Sequence, residues 1–118
     1  MSRLQAVLDE AFKAFNAHDA ARLRPLFHDE SAWPNALDDG PDAVGKEAVL
    51  AYFARVFATI IPNIQLIRIL EETPDALTAD VQYSVESQDG HIWTDTRSRL
   101  IYHFRDGLLC GQTVIDGF

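Results

Sequence analysis

An α+β fold, with three N-terminal helices laid across one face of a strongly curved sheet, is what this sequence predicts, and two observations carry the prediction. Residues 1–61 repeat their apolar side chains mostly at helical spacing, whereas residues 64–116 alternate them at period two between short polar turns. Helices gathered first and strands gathered second bury their apolar faces only by packing as layers. A sheet that curls round helices leaves a concave mouth, where small molecules bind. The 118 residues, 47% of them hydrophobic, have the length of one domain, read as 1–118, and material for one core.

Ser2 followed by Gln5 fits a capping box. Leu4, Val7, Leu8, Ala11, Phe12 and Phe15 then recur on one stripe, so the first helix runs to about Asn16. Asp19 caps a short second helix through Leu26, whose last turn Pro25 kinks or tightens. Ser31 to Ala36 reads as a short strand that Pro34 confines to a sheet edge, and residues 37–45 read as a polar loop. Gly45 opens the third helix, whose stripe is Val49, Tyr52, Phe53, Val56, Phe57, Ile60 and Ile61, stopped by Pro62-Asn63.

Four strands follow, at Ile64–Glu72, Leu77–Ser87, His91–Arg105 and Leu108–Ile115. The breaks are Thr73-Pro74-Asp75, Asp89-Gly90 and Asp106-Gly107, and Asp-Gly pairs suit tight hairpins because both residues tolerate positive φ. On the third of these strands Thr94, Thr96, Ser98, Leu100, Tyr102 and Phe104 form the less charged face and are placed toward the helices. Asp95, Arg97, Arg99 and His103 then lie on the back, where Arg97 and Arg99 pair with Asp80, Glu86 or a second subunit. One bulge would reverse that assignment and bring Asp95, Arg97 and His103 into the pocket.

A formal charge of −8, from 18 acids against 10 bases, opposes binding to nucleic acid or anionic membrane. Cys110 has no second cysteine to pair with and reads as a buried, inert thiol. Charges at Asp9, Glu10 and Lys13 interrupt any signal-peptide core, so a cytoplasmic setting is expected. The four histidines lack metal-binding spacing, and no glycine-rich phosphate loop is present, so neither a metal nor another cofactor is indicated.

The order of elements, and the phrases FNAHDAARLRPLFHDES, GKEAVLAYFARVF and IYHFRDGLL, resemble the nuclear transport factor 2-like superfamily, in particular SnoaL-like polyketide cyclases and bacterial ketosteroid isomerases. The resemblance implies a cone-shaped α+β barrel, built on a mixed, mostly antiparallel sheet and dimerising through the sheet face. It also lets functional positions be matched singly. The helix-one tyrosine that polarises the carbonyl in ketosteroid isomerases falls at Ala11, and their aspartate base at Asn35. The acid on their central strand falls at Leu100, and the last-strand carboxylate of cyclases and limonene epoxide hydrolase at Val114. The Tyr-x-Asn pair of that hydrolase reads Trp33-Pro34-Asn35 here, and its Arg-x-Asp has no match in register, Asp95-Thr96-Arg97 lying in reversed order. A steroid-isomerase mechanism is disfavoured.

Asp116 is the first choice for a general acid or base, because strict alternation puts it on the side of Cys110, Gln112 and Val114. The bland alternative is a solvated residue near the chain end. Asn35 would orient a water or a substrate oxygen; alternatively it forms the turn before Leu37-Asp38-Asp39-Gly40. Trp33, Tyr52, Phe53, Tyr83, Leu100, Tyr102, Gln112 and Val114 are expected to line the pocket, although most such aromatics are simply core. The leading expectation is a cofactor-independent acid/base enzyme of isomerase, cyclase, dehydratase or epoxide-hydrolase type, acting on a small apolar molecule that carries oxygen. The alternative is a noncatalytic ligand-binding or dimerisation module of the same fold, favoured by the absent family groups at Ala11, Leu100 and Val114.

Overall fold

A computed structural model describes residues 2–117, with the backbone alone for Gly117. Helix α1 spans Arg3–Asn16 and buries Leu4, Leu8, Ala11 and Ala14. Ser2 Oγ accepts the Gln5 N–H at 3.2 Å, as a cap should. The Gln5 side chain completes no capping box; it donates instead to the Glu72 carboxylate on the sheet at 2.9 Å. Asp19 caps α2 (Ala20–Leu23), and Pro25 sits in the 3₁₀ turn Arg24–Leu26 that tightens its end.

The edge strand is shorter than expected. Strand β1 is only Ala32–Trp33, and it pairs with β2 (Ala43–Val44), which lies in the stretch read as loop. Pro34 lacks the N–H needed to extend the pairing, so the chain leaves the ladder and returns ten residues later. Gly45, at φ 91, turns the backbone into α3 (Lys46–Thr59).

Ile61 already belongs to a strand rather than to the helical stripe: β3 is Ile61–Thr73, and its Pro62 is tolerated because β3 is an edge. Strands β4 (Ala76–Glu86), β5 (Ile92–Arg105) and β6 (Leu108–Gly117) complete a sheet of order β3-β4-β5-β6, antiparallel throughout. A single parallel bridge, Phe27 to Leu109, ties the segment after α2 to its far edge. The sheet is curved and not closed into a barrel. Asp106 and Gly107 both take positive φ in the last hairpin; in the preceding turn only Gly90 does.

Helices pack on the face formed by Leu77, Ala79, Val81 and Val85 of β4 and Leu100, Tyr102 and Phe104 of β5, all buried. Phe53 of α3 is the hub of the helix layer. Its ring lies 5.4–6.1 Å from those of Phe15, Phe27, Trp33, Tyr52 and Phe57, which fastens α1 and β1 to α3. Among the described residues no helix is long and apolar enough to cross a membrane.

Candidate functional site

Between the helices and the concave side of the sheet lies a cavity of about 250 Å³. Its walls come from every layer: Leu8, Ala11, Phe12 and Phe15 of α1, Tyr52, Phe53 and Val56 of α3, and inward side chains of all four long strands. Trp33, Tyr52, Phe53, Tyr83, Leu100, Tyr102, Gln112 and Val114 all border it. Val81 and Ser98 border it too. Both lie on the inward parity of their strands, two residues from Tyr83 and Leu100, which is the signal that could have found them. Pro34 and Ala36 contribute from the segment after β1.

The two residues expected to do chemistry lie elsewhere. Asp116 is exposed and is not among the residues bordering the cavity. In the register of β5 and β6, Leu100 pairs with Val114 and Arg99 with Asp116, so Ile115 is looped out of the ladder. That bulge reverses the alternation and puts Asp116 on the outer side with Arg99. A second bulge at Cys110 lies between the pairs Phe104–Leu109 and His103–Gly111; it leaves Cys110 only partly buried, with burial raising the pKa of its free thiol.

Asn35 sits between two cavity residues, but its own side chain is committed to the following loop. Its Nδ2 donates to Asp38 Oδ1 at 2.7 Å and to the Pro41 carbonyl at 3.3 Å. Its Oδ1 accepts the N–H groups of Leu37 and Asp38 at 3.0 and 3.2 Å. This is the turn-forming role, with both donor and acceptor in use.

The polar residues that border the cavity carry hydroxyls, an indole N–H and an amide. Tyr52 Oη accepts the Ala36 N–H at 3.1 Å. Burial, reinforced by Tyr52, pushes the Tyr83 phenol up to about 12. Burial, with Tyr83 adding to it, moves the Tyr102 phenol higher still. Tyr102 is 2% exposed, its ring meets that of Phe12 edge-on at 5.7 Å, and its hydroxyl has no hydrogen-bond partner among the described residues. No Asp, Glu, His, Cys, Lys or Arg borders the cavity among the described residues.

The charged side of β5 forms the back of the sheet. There Asp80, 3% exposed, accepts Arg99 Nε at 2.8 Å and Arg68 Nε at 2.9 Å. His103 shares the outward parity, its Nε2 2.8 Å from Thr113 Oγ1. A shallow groove runs past His103, Cys110 and Asp42, separated from the cavity by the shared wall of Trp33, Pro34 and Gln112. No cluster of three or more His, Cys, Asp or Glu among the described residues could hold a metal ion.

Three helices on an open, curved antiparallel sheet, with an aromatic-lined cavity between the layers, define the class of this α+β protein. The chain belongs to the SnoaL-like domain family, whose profile matches residues 8–111. No curated protein matches its sequence. Among solved structures it is similar to the Δ5-3-ketosteroid isomerase from Mycobacterium sp., at TM-score 0.83 and 15% identity, over 98% of this chain and 94% of that one. Protein RV0760c from Mycobacterium tuberculosis, in complex with estradiol-17β-hemisuccinate, is similar at TM-score 0.82 and 20% identity, over 98% and 95%. An epoxide hydrolase of M. tuberculosis resembling the limonene enzyme is similar at TM-score 0.79 and 10% identity, over 95% and 80%. At these identities the likeness is one of fold.

Proposed function

We propose that this protein binds a small, largely apolar, oxygen-bearing molecule in the cavity between helices and sheet, and does not transform it. One observation carries the reading: the groups bordering the cavity among the described residues are apolar, hydroxyl, indole or amide, and none exchanges a proton near neutral pH. Aromatic walls supply apolar contact area, while Tyr83, Tyr102, Ser98 and Gln112 supply a few hydrogen-bonding groups, the usual balance of a ligand pocket. The fused-ring skeleton of the estradiol ester held by RV0760c is in keeping with a largely apolar guest. The reading needs no cofactor.

The competing reading is a proton-transfer enzyme using Asp116 and Asn35. Its observable is turnover of epoxides or activated ketones that disappears in Asp116→Asn. Calorimetry with the neutral bicyclic hydrocarbon tetralin tests the binding reading, with saturable one-to-one uptake and no turnover across the substrate panel as the expected result. Turnover abolished by Asp116→Asn would overturn it.

The remaining expectations belong to the same reading: one SnoaL-like unit over 1–118, working in the cytoplasm as a homodimer through the sheet. Exposed apolar side chains on β3, β5 and β6, among them Ile67, Ile92, Trp93 and Ile115, support the dimer. Sedimentation of a species of twice the chain mass is the outcome it requires.

A further inference from the structure

We propose that the ligand enters between β6 and residues 34–42, and that these residues form a lid whose opening is set by the ion pair of Asp38 with Arg55 on α3. This rests on the reading of the cavity as a ligand site and says how that site is reached.

Exposure locates the entrance. Among the described residues that border the cavity, Ala36 and Val114 alone are exposed, Val114 at 59%. They stand on two stretches of chain that run side by side. Phe27 bridges Leu109 in parallel, and the His28 N–H donates to the Leu109 carbonyl at 2.8 Å. Further along, a Cβ on Gly111 would lie 3.4 Å from the Ala32 carbonyl, and Pro34 and Gln112 border both the cavity and the outer groove. Ala36 and Val114 come next along each stretch. Here the seam is not stitched: no backbone hydrogen bond joins residues 34–42 to β6 among the described residues. Parting it therefore breaks no backbone pairing.

Residues 34–42 are built to move as one piece. The pair Trp33–Ala43 closes them at the base. Within them the Asn35 N–H donates to Asp42 Oδ1 at 3.0 Å and the Gly40 N–H to Asp38 Oδ1 at 2.8 Å, beside the bonds of the Asn35 side chain. The attachments to the rest of the fold are fewer. The Ala36 N–H donates to Tyr52 Oη, half-buried Leu37 packs against the core, and Arg55 Nη1 lies 3.5 Å from Asp38 Oδ2. Arg55 also lies over the Tyr52 ring, its Cζ 5.9 Å from the centroid, so ion pair and hydrogen bond meet at one place on α3. Both members of the ion pair are largely exposed, and such a pair shifts an equilibrium by only roughly two- to fivefold. That weakness lets the latch release at ambient temperature. Because opening serves entry and exit alike, a looser latch speeds both and leaves affinity unchanged.

Exchange of tetralin on the full chain, followed by proton NMR line shapes with calorimetry supplying Kd, tests the proposal. Arg55→Ala should raise the association and dissociation rate constants each roughly two- to fivefold and leave Kd within about twofold. Asp38→Asn, whose amide oxygen still accepts from Gly40 and Asn35, should do the same, and the double variant no more. Added salt should speed exchange in the wild type and not in Arg55→Ala, since tetralin carries no charge. Arg24→Ala is the control: it removes another exposed ion pair of α3, that of Arg24 with Glu47, away from the lid, and should leave the rates at wild type. Wild-type rates in Arg55→Ala, equal acceleration in Arg24→Ala, additive effects in the double variant, or a change in only one rate constant would overturn the lid while leaving the pocket reading standing. If tetralin does not bind the wild type, both fall. Melting temperatures show that each variant is folded, since every substituted side chain is exposed.

Discussion

The side chain of Asn16, the last residue of α1, holds both backbone polar groups of Ile64 on the sheet edge: its Nδ2 donates to the Ile64 carbonyl and its Oδ1 accepts the Ile64 N–H, each at 2.8 Å. An amide is the one side chain that can imitate a neighbouring strand in this way. It satisfies an edge that would otherwise face water. It also fixes α1 against β3 where Ile64 borders the cavity.

Asn16→Ala should therefore destabilise the fold by about 1–3 kcal/mol, the range for stranding partly buried hydrogen-bonding groups. Asn16→Asp, which keeps the acceptor and loses the donor, should also destabilise, since its carboxylate would face the Ile64 carbonyl. Urea denaturation of the two variants checks this, and wild-type midpoints in both would show that the edge needs no clamp.

Asp80 gives the fold an acid-sensitive link. Hydrogen bonding from Arg99 first, and from Arg68 as well, outweighs desolvation and lowers its carboxyl from 3.8 to about 2. The folded-state value lies below the unfolded one, so the stabilisation is complete above the ordinary carboxylate range and is lost as pH falls toward 2. Asp80→Asn should lower the melting temperature at neutral pH, with the difference from wild type shrinking between about pH 4 and pH 2. A difference that stays constant over that interval would mean that the ionised carboxylate is not what stabilises the sheet.

Asn35→Ala removes four hydrogen bonds that organise the loop after β1. The expected loss is about 1–3 kcal/mol, with proteolysis concentrated between Leu37 and Asp42. Tetralin affinity should change little, because the side chain is directed to the loop. A loss of affinity without a loss of stability would return Asn35 to the binding site.

Tyr102→Phe should be at least as stable as the wild type in the absence of ligand. Removing a hydroxyl that has no hydrogen-bond partner among the described residues sacrifices none of their hydrogen bonds and retains the ring contact with Phe12. Thermal melts of the variant and the wild type test this. A variant that melts well below the wild type without ligand would show that the hydroxyl has a structural partner.

Much of this architecture is legible in the residues. Ser2 and Asp19 announce their helices, Gly45 begins α3, and the uncharged parity of β5 identifies the face that packs on the helices. Local chemistry decides each of these. The β1–β2 pairing was not legible, because two-residue strands have no periodicity and their pairing depends on how the intervening loop folds. Asp116 was misplaced for a different reason. Alternation assumes an unbroken ladder, and a looped-out Ile115 is fixed by how β6 seats against β5 rather than by its own identity. Asn35 is the intermediate case: its turn-forming chemistry is visible in the sequence, but the four hydrogen bonds that use up its side chain are apparent only in three dimensions.

The looped-out Ile115 has a consequence for descent as well as for function. Retaining or losing one kink near the chain end determines whether an acidic group is turned toward the cavity or toward the solvent, with no change in the identity of that group. Two lineages could share nearly every letter of this segment and yet differ in whether they hold or convert their guest. Comparison by residue identity alone would not separate them; comparison of strand pairing would.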